Sequence, residues 1–260
     1  MKALLVLLLL FPGVALAQSP FDGTWVVDTK SMELPQKPIT YFLVNGMFRC
    51  SDCNGANIEI KTDGQDHEVG KTGYWDTVSV RVLDAFNVEI ISKKAGKVMF
   101  TELDTISQDG DTLTAVVKDT TEAQAVTIET VSKRIDRGPV GSHILCGSWH
   151  AFKISRSKNG STIKFKCTPE GFSAETPLGE KFDAKFDGKD YLVEDDPAHT
   201  MVSVKLLSSN SVEQTNKRDG KVVGVLRLTV APGGETIHAT YENKEANSTT
   251  GYVMVKQLQN

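Results

Sequence analysis

One spacing runs through the whole chain. Gly23-Thr24-Trp25 reappears as Gly147-Ser148-Trp149, 124 residues on, and Lys61-Thr62-Asp63-Gly64-Gln65-Asp66 reappears at the same offset as Lys185-Phe186-Asp187-Gly188-Lys189-Asp190. Val78-Ser79-Val80-Arg81 likewise matches Val202-Ser203-Val204-Lys205, and Gly96-Lys97-Val98 matches Gly220-Lys221-Val222. An offset that never changes marks the duplication of an entire folding unit, not a chance likeness of turns. The Gly- and Pro-containing stretch Asp136–Ser142 lacks apolar periodicity and reads as a linker. It divides the chain into copies at 18–137 and 138–260, each of a size that folds independently. The alternative is one larger barrel or sandwich assembled from both copies.

Within a copy the period is two. Val78, Val80 and Val82 alternate with Ser79 and Arg81, Leu113, Ala115 and Val117 with Thr112 and Thr114, and Ile237, Ala239 and Tyr241 with His238 and Thr240. Such alternation belongs to strands with one buried and one wet face. Asp63-Gly64, Ala95-Gly96, Asp109-Gly110, Asp187-Gly188, Asp219-Gly220 and Gly233-Gly234 break the chain at hairpin intervals. No mature segment carries a helical stripe. The expected fold is all-β, two tandem antiparallel meanders that hide their edges by closing into barrels.

At the N-terminus Lys2 precedes the apolar run Ala3–Phe11, then Pro12-Gly13 and Ala15-Leu16-Ala17. This has the three parts of a secretory signal, with cleavage expected after Ala17. Pro12 interrupts the run well short of a membrane span, so no transmembrane segment is expected after cleavage. The mature chain is then periplasmic or secreted, a compartment where thiols pair. Cys50, Cys53, Cys146 and Cys167 are disulfide candidates with three possible connectivities. The short-range pairs 50–53 and 146–167 are the economical choice. Cys50-Ser51-Asp52-Cys53 opens a turn rather than a helix, which favours a staple over a redox pair.

Residues 18–137 carry 13 Lys/Arg against 19 Asp/Glu, and residues 138–260 carry 15 against 14. Neither half is basic enough to follow a phosphate backbone, so nucleic acid is not an expected partner.

Phe21-Asp22-Gly23-Thr24-Trp25 at the head of an all-β unit of this length resembles the first strand of the lipocalin and fatty-acid-binding-protein superfamily. With Lys185–Tyr191 and Arg218-Asp219-Gly220-Lys221-Val222, the chain is similar to lipocalin-like proteins exported by bacteria. The resemblance implies that Gly23 and Gly147 pack closely, and that Trp25 and Trp149 plug the closed barrel ends. It also implies an arginine from the last strand stacked on each tryptophan. Arg134 fits in the first copy, but the residue 124 further on is Leu258.

Candidate chemistry is sparse. Asp63, Asp66, His67 and Glu68 crowd one loop, but the second copy has Asp187, Asp190, Tyr191 and Leu192, so only the turn-forming aspartates recur and no metal is expected. Asp195, Asp196 and His199 form an acidic cluster tied to no nucleophile, and read as a solvated loop. His143, His150 and His238 form no zinc pattern. Arg227 lies on a strand between Leu226 and Leu228. If it faced inward, it would bind an anionic ligand group. No catalytic residue and no cofactor are expected. The reading is an exported, non-enzymatic binding protein with a small apolar or amphipathic ligand. The alternatives are an envelope interaction module with filled barrels and a thiol oxidoreductase using Cys50 and Cys53.

Overall fold

The computed structural model describes residues 19–53, 56–70, 73–121, 125–157, 161–176 and 179–257. The expected signal segment and Leu258 lie outside them. Among the described residues there is no α-helix. In the first half β1 (Gly23–Asp28) leads through a 3-10 turn at Thr29–Ser31 to β2 (Ile39–Val44), β3 (Met47–Cys53), β4 (Ala56–Lys61) and β5 (His67–Glu68). There follow β6 (Thr77–Val82), β7 (Asn87–Lys94), β8 (Lys97–Ile106), β9 (Thr112–Asp119) and β10 (Val126–Arg137). The second half repeats the series as β11 (Gly147–Arg156), β12 (Thr162–Cys167), β13 (Gly171–Glu175), β14 (Lys181–Lys185) and β15 (Tyr191–Leu192). It ends with β16 (Met201–Ser208), β17 (Ser211–Arg218), β18 (Lys221–Val230), β19 (Thr236–Asn243) and β20 (Ser248–Lys256).

These strands form two ten-stranded antiparallel sheets, each curled into a nearly closed barrel. Barrel 1 runs β4-β3-β2-β11-β10-β9-β8-β7-β6-β5, and barrel 2 runs β14-β13-β12-β1-β20-β19-β18-β17-β16-β15. A bridge between Asp63 and Arg81 draws the ends of barrel 1 together, and one between Lys181 and Glu194 does so in barrel 2. The expected all-β, two-barrel architecture is present.

The barrels do not follow the division at 137/138. The copies have exchanged their first strands: β11 lies between β10 and β2, while β1 lies between β20 and β12. The domains expected at 18–137 and 138–260 are therefore corrected to 39–156 for barrel 1, and to 23–28 with 162–256 for barrel 2. The reason lies in the connections and in ladder length. β10 turns directly into β11, so the two pair as sequence neighbours over nine register positions, from Ile128–Arg156 to Arg137–Gly147. β1 matches β20 over only four, Trp25–Lys256 to Asp28–Val253. The stretch read as a linker is thus a turn within barrel 1, and the barrel changes between β1 and β2 and again between β11 and β12.

Each barrel buries its tryptophan. Trp25 and Trp149 are fully buried, and each donates its indole N–H to the carbonyl four residues earlier, Phe21 at 2.7 Å and Leu145 at 2.9 Å. Gly147 has φ 126°, and a Cβ there would stand 2.0 Å from the Asp136 carbonyl oxygen, so the close packing expected of this glycine is real. Because of the exchange, Arg134 of the first copy stacks on Trp149 of the second, 3.9 Å from its ring centre. It also donates to the carbonyls of Cys146 at 2.7 Å, Ile144 at 2.6 Å and Gly110. Over Trp25 the cation is Lys256, 5.2 Å from the ring centre and two residues ahead of Leu258.

The barrels meet through equivalent parts of the repeat: residues 73–76 of barrel 1 lie against loop 193–200 of barrel 2. Lys94 and Arg218 are equivalent too, and each reaches across: Lys94 Nζ donates to the Pro197 carbonyl at 2.5 Å, and the Arg218 guanidinium lies 5.1 Å from the Tyr74 ring centre. The contact is self-complementary, as in a two-fold dimer, but it is made within one chain.

Candidate functional site

Both barrel interiors are largely occupied by their own side chains. In barrel 2 the rings of Phe21, Phe165 and Phe182 gather around Phe172, with centroids 5.3–6.4 Å from it. In barrel 1 Tyr41 packs on Phe48 at 5.9 Å, and Trp75 meets Phe100 edge-on at 5.8 Å. A fatty-acid-length cargo would have to displace these rings. The apolar lining expected of the strands is present, but it forms a core.

Arg227 does not enter that core. Leu226 and Leu228 take the inward phase of β18, and Arg227 points outward, where it donates to Glu213 at 2.7 Å and Glu242 at 2.6 Å. The ligand-binding role expected of Arg227 is corrected to an exposed ion-pair network, because water and two carboxylates solvate the guanidinium better than an apolar barrel would.

The inward phase of the equivalent strand in barrel 1 is quite different. Positions 226 and 228 correspond to Glu102 and Asp104, and Phe165 corresponds to Tyr41. Asp104 is fully buried, and the group its carboxyl meets is the carboxyl of Glu102. Glu102 stands beside it, two residues earlier on the same face. Burial raises the pKa of both carboxyls, and the Glu102 charge pushes Asp104 up further. Burial and then the Asp104 and Glu102 charges raise the Tyr41 phenol well above its ordinary value. Barrel 1 therefore carries an acidic pair where its sister carries leucines.

A second polar feature lies where the barrels meet. Tyr74, on the loop of barrel 1, roofs a cavity of about 110 Å³ in the mouth of barrel 2. Ala174, Phe182, Val193 and Val202 supply apolar lining, and Thr176, Glu180, Gln214 and Asn216 supply polar groups. Burial and the charges of Asp196 and Glu180 raise the Tyr74 pKa well above its ordinary value. Asp196, read as part of a solvated loop, is instead buried and lines this cavity. Its carboxylate accepts the N–H of Ala198 at 2.9 Å and of Thr200 at 2.7 Å, and so fixes the turn.

The remaining candidates are structural. His67 Nε2 meets Asp63 at 2.8 Å, and in barrel 2 Tyr191 donates to Asp187 at 3.0 Å from the same position. Lys93–Asp66 at 2.8 Å and Lys217–Asp190 at 2.7 Å repeat in the same way. No group of three or more His, Cys, Asp or Glu among the described residues is placed to hold a metal. No helix among them is long and apolar enough to cross a membrane.

Cys50 and Cys53 form a disulfide with Cα atoms 5.7 Å apart, as expected, whereas Cys146 and Cys167 are both free thiols. The pairing 146–167 is corrected: Cys146 precedes β11 in barrel 1 and Cys167 ends β12 in barrel 2, so the exchange has parted them. Cys53→Ser is expected to lower stability by about 2 kcal/mol, the loop-closure entropy of so short a ring. Chemical denaturation checks this. A disulfide-reductase activity present in the native chain and lost in the variant would instead favour the thiol-enzyme alternative.

No protein-family model matches the chain, and no curated protein matches it. A similar solved structure is that of a double mutant of the vaccine antigen transferrin binding protein B from Haemophilus parasuis Hp5, with 10% identity and a TM-score of 0.24. The match covers 88% of this chain and 45% of that one, so the chain spans under half of that structure's length. At that TM-score the likeness defines neither ligand nor role.

Glu102, Asp104, Tyr41 and Tyr74 escape a local reading of the sequence. The signal for the first three is the repeat itself, which sets carboxylates against leucines and a phenol against a phenyl ring.

Proposed function

We propose that the chain is an exported, non-enzymatic binding protein that takes a compact amphipathic ligand where the barrels meet. The observation that carries this reading is the cavity under Tyr74, whose lining mixes polar and apolar side chains of one barrel with a residue from the other. Drug-sized pockets run to about 300 Å³ or more, and a dry cavity of about 150 Å³ holds benzene, so a space near 110 Å³ suits a ligand of a few heavy atoms. This narrows the apolar cargo expected of a lipocalin-like barrel to something much smaller than a lipid.

The test is titration with a panel of short-chain amines, alcohols and acids, followed by calorimetry and by tryptophan emission from Trp75, next to Tyr74. Saturable binding to the native protein, weakened at least about tenfold in Tyr74→Ala, is expected from loss of the roof. Absence of saturable binding across the panel, or binding indifferent to Tyr74, would overturn it. A second reading is favoured by a different observation. An open groove of about 400 Å³ lies along β2–β4, lined by Phe42, Arg49, Cys50, Ser51, Ile58 and Glu59, and filled barrels presenting such a groove suit an interaction module.

A further inference from the structure

The parted cysteines record a second way of folding the same chain. Positions 22 and 146 are equivalent in the repeat, and so are positions 43 and 167. In barrel 1 the Cys146 thiol lies against the backbone of Leu43: the Leu43 N–H reaches Sγ at 2.8 Å, and the thiol donates to the Leu43 carbonyl at 3.2 Å. In barrel 2 the same contact is made by Asp22, whose carboxylate accepts the Cys167 N–H at 2.8 Å. Each side chain at position 22 or 146 therefore sits on the residue at position 43 or 167 of the opposite copy. Returning β1 and β11 to their own copies places Cys146 on Cys167 and Asp22 on Leu43. Both side chains at 43 and 167 pack toward a core, Leu43 buried and Cys167 half-buried, as Cys146 does.

We infer that the chain has two monomeric topologies, and that a Cys146–Cys167 disulfide locks the one with unexchanged first strands. With the thiols reduced, the longer β10–β11 ladder favours the exchanged form described above. In the presence of a small-molecule disulfide, thiol–disulfide exchange forms the Cys146–Cys167 bond as the reagent is reduced to two thiols, two electrons and two protons passing from protein to reagent. The bond is possible only in the unexchanged form, so oxidation during folding selects the topology, with Cys50–Cys53 common to both. The exchange then behaves as an intramolecular domain swap under redox control. The site proposed under Tyr74 belongs to the exchanged form, but the inference does not depend on it.

The experiment makes Cys167 choose. In full-length Asp22→Cys, the new thiol meets Cys167 in the exchanged form and Cys146 meets it in the unexchanged form, so a Cys167 disulfide to position 22 or to 146 reports the topology. The reduced, unfolded variant and the native chain are refolded in a glutathione redox buffer, and monomers are mapped by non-reducing digestion and mass spectrometry. In the native chain, a monomer about 2 Da lighter than the form with one disulfide, with 146 joined to 167, is expected. In the variant, both Cys167 disulfides are expected, the share joined to position 22 rising when refolding begins under reducing conditions. If Cys167 pairs with position 22 alone, or if neither bond forms where Cys50–Cys53 does, the second topology is refuted.

Discussion

Replacing Glu102 and Asp104 together by leucine, the residues that barrel 2 carries at these positions, is expected to stabilise barrel 1 by about 2–4 kcal/mol. Asp104 is fully buried with the half-buried Glu102 beside it, and a hydrogen bond shared between two carboxyls does not repay the cost of taking both out of water. The pH dependence follows from the sign of the shifts. Both carboxyls have folded pKa values above their unfolded ones, so the native chain's stability from this site is full below about pH 4 and is lost as pH rises through the folded values. Exposed carboxylates act in the opposite direction. Asp63, Asp84, Asp109, Asp187 and Glu242 are held below their ordinary values by hydrogen bonds, and their contribution is lost only as pH falls toward their folded values. Between pH 5 and 8 the buried pair therefore dominates. Thermal melts across that window should show the native chain losing stability toward pH 8 and the double leucine variant nearly flat. A variant less stable than the native chain at pH 8 would show that the pair is solvated or held by a partner.

Excision should follow the sheets rather than the repeat. A fragment of residues 36–158 contains all ten strands of barrel 1, including β11 with Trp149 under Arg134, and is expected to unfold cooperatively and resist protease. A fragment of 159–257 lacks any first strand for barrel 2. It is expected to remain open between β12 and β20 until a peptide of residues 19–35 is supplied, when near-native circular dichroism should return. Residues 18–137 have only the six-residue β1 for the slot of β11, so that fragment should be several kcal/mol less stable than 36–158, because the shorter ladder buries less apolar surface. Equal stability of 18–137 and 36–158 would mean that the exchange confers no preference.

Much of this architecture is legible in the residues, because the period-two alternation and the paired Asp-Gly turns are local signals. The exchange is not. Gly-Thr-Trp and Gly-Ser-Trp fit either slot, and the deciding factor is the long ladder that β10 makes with β11, which neither motif shows by itself. The interior of barrel 1 is hidden for a different reason. Along β8, Leu103 is exposed while Glu102 and Asp104 face inward, so the usual rule that apolar residues mark the buried face inverts the phase. Along β18 both phases are apolar around Arg227, and periodicity cannot choose between them. Only the comparison of position 102 with 226 and of 104 with 228 reveals the acidic pair. Tyr74 has no such help, since its counterpart is Ala198 and its role depends on how two loops meet.

The position of β1 also sets a timetable. A chain emerging from its N-terminus delivers β1 first, yet the partners of that strand, β12 and β20, appear only after all of barrel 1 has been made. Throughout that interval β1 is an unpaired strand, and until β11 emerges the vacancy beside β10 is one it can fill. Which strand wins that place depends on the pace of emergence as well as on equilibrium stability, so slowing the delivery of residues 138–156 should favour β1 as the occupant.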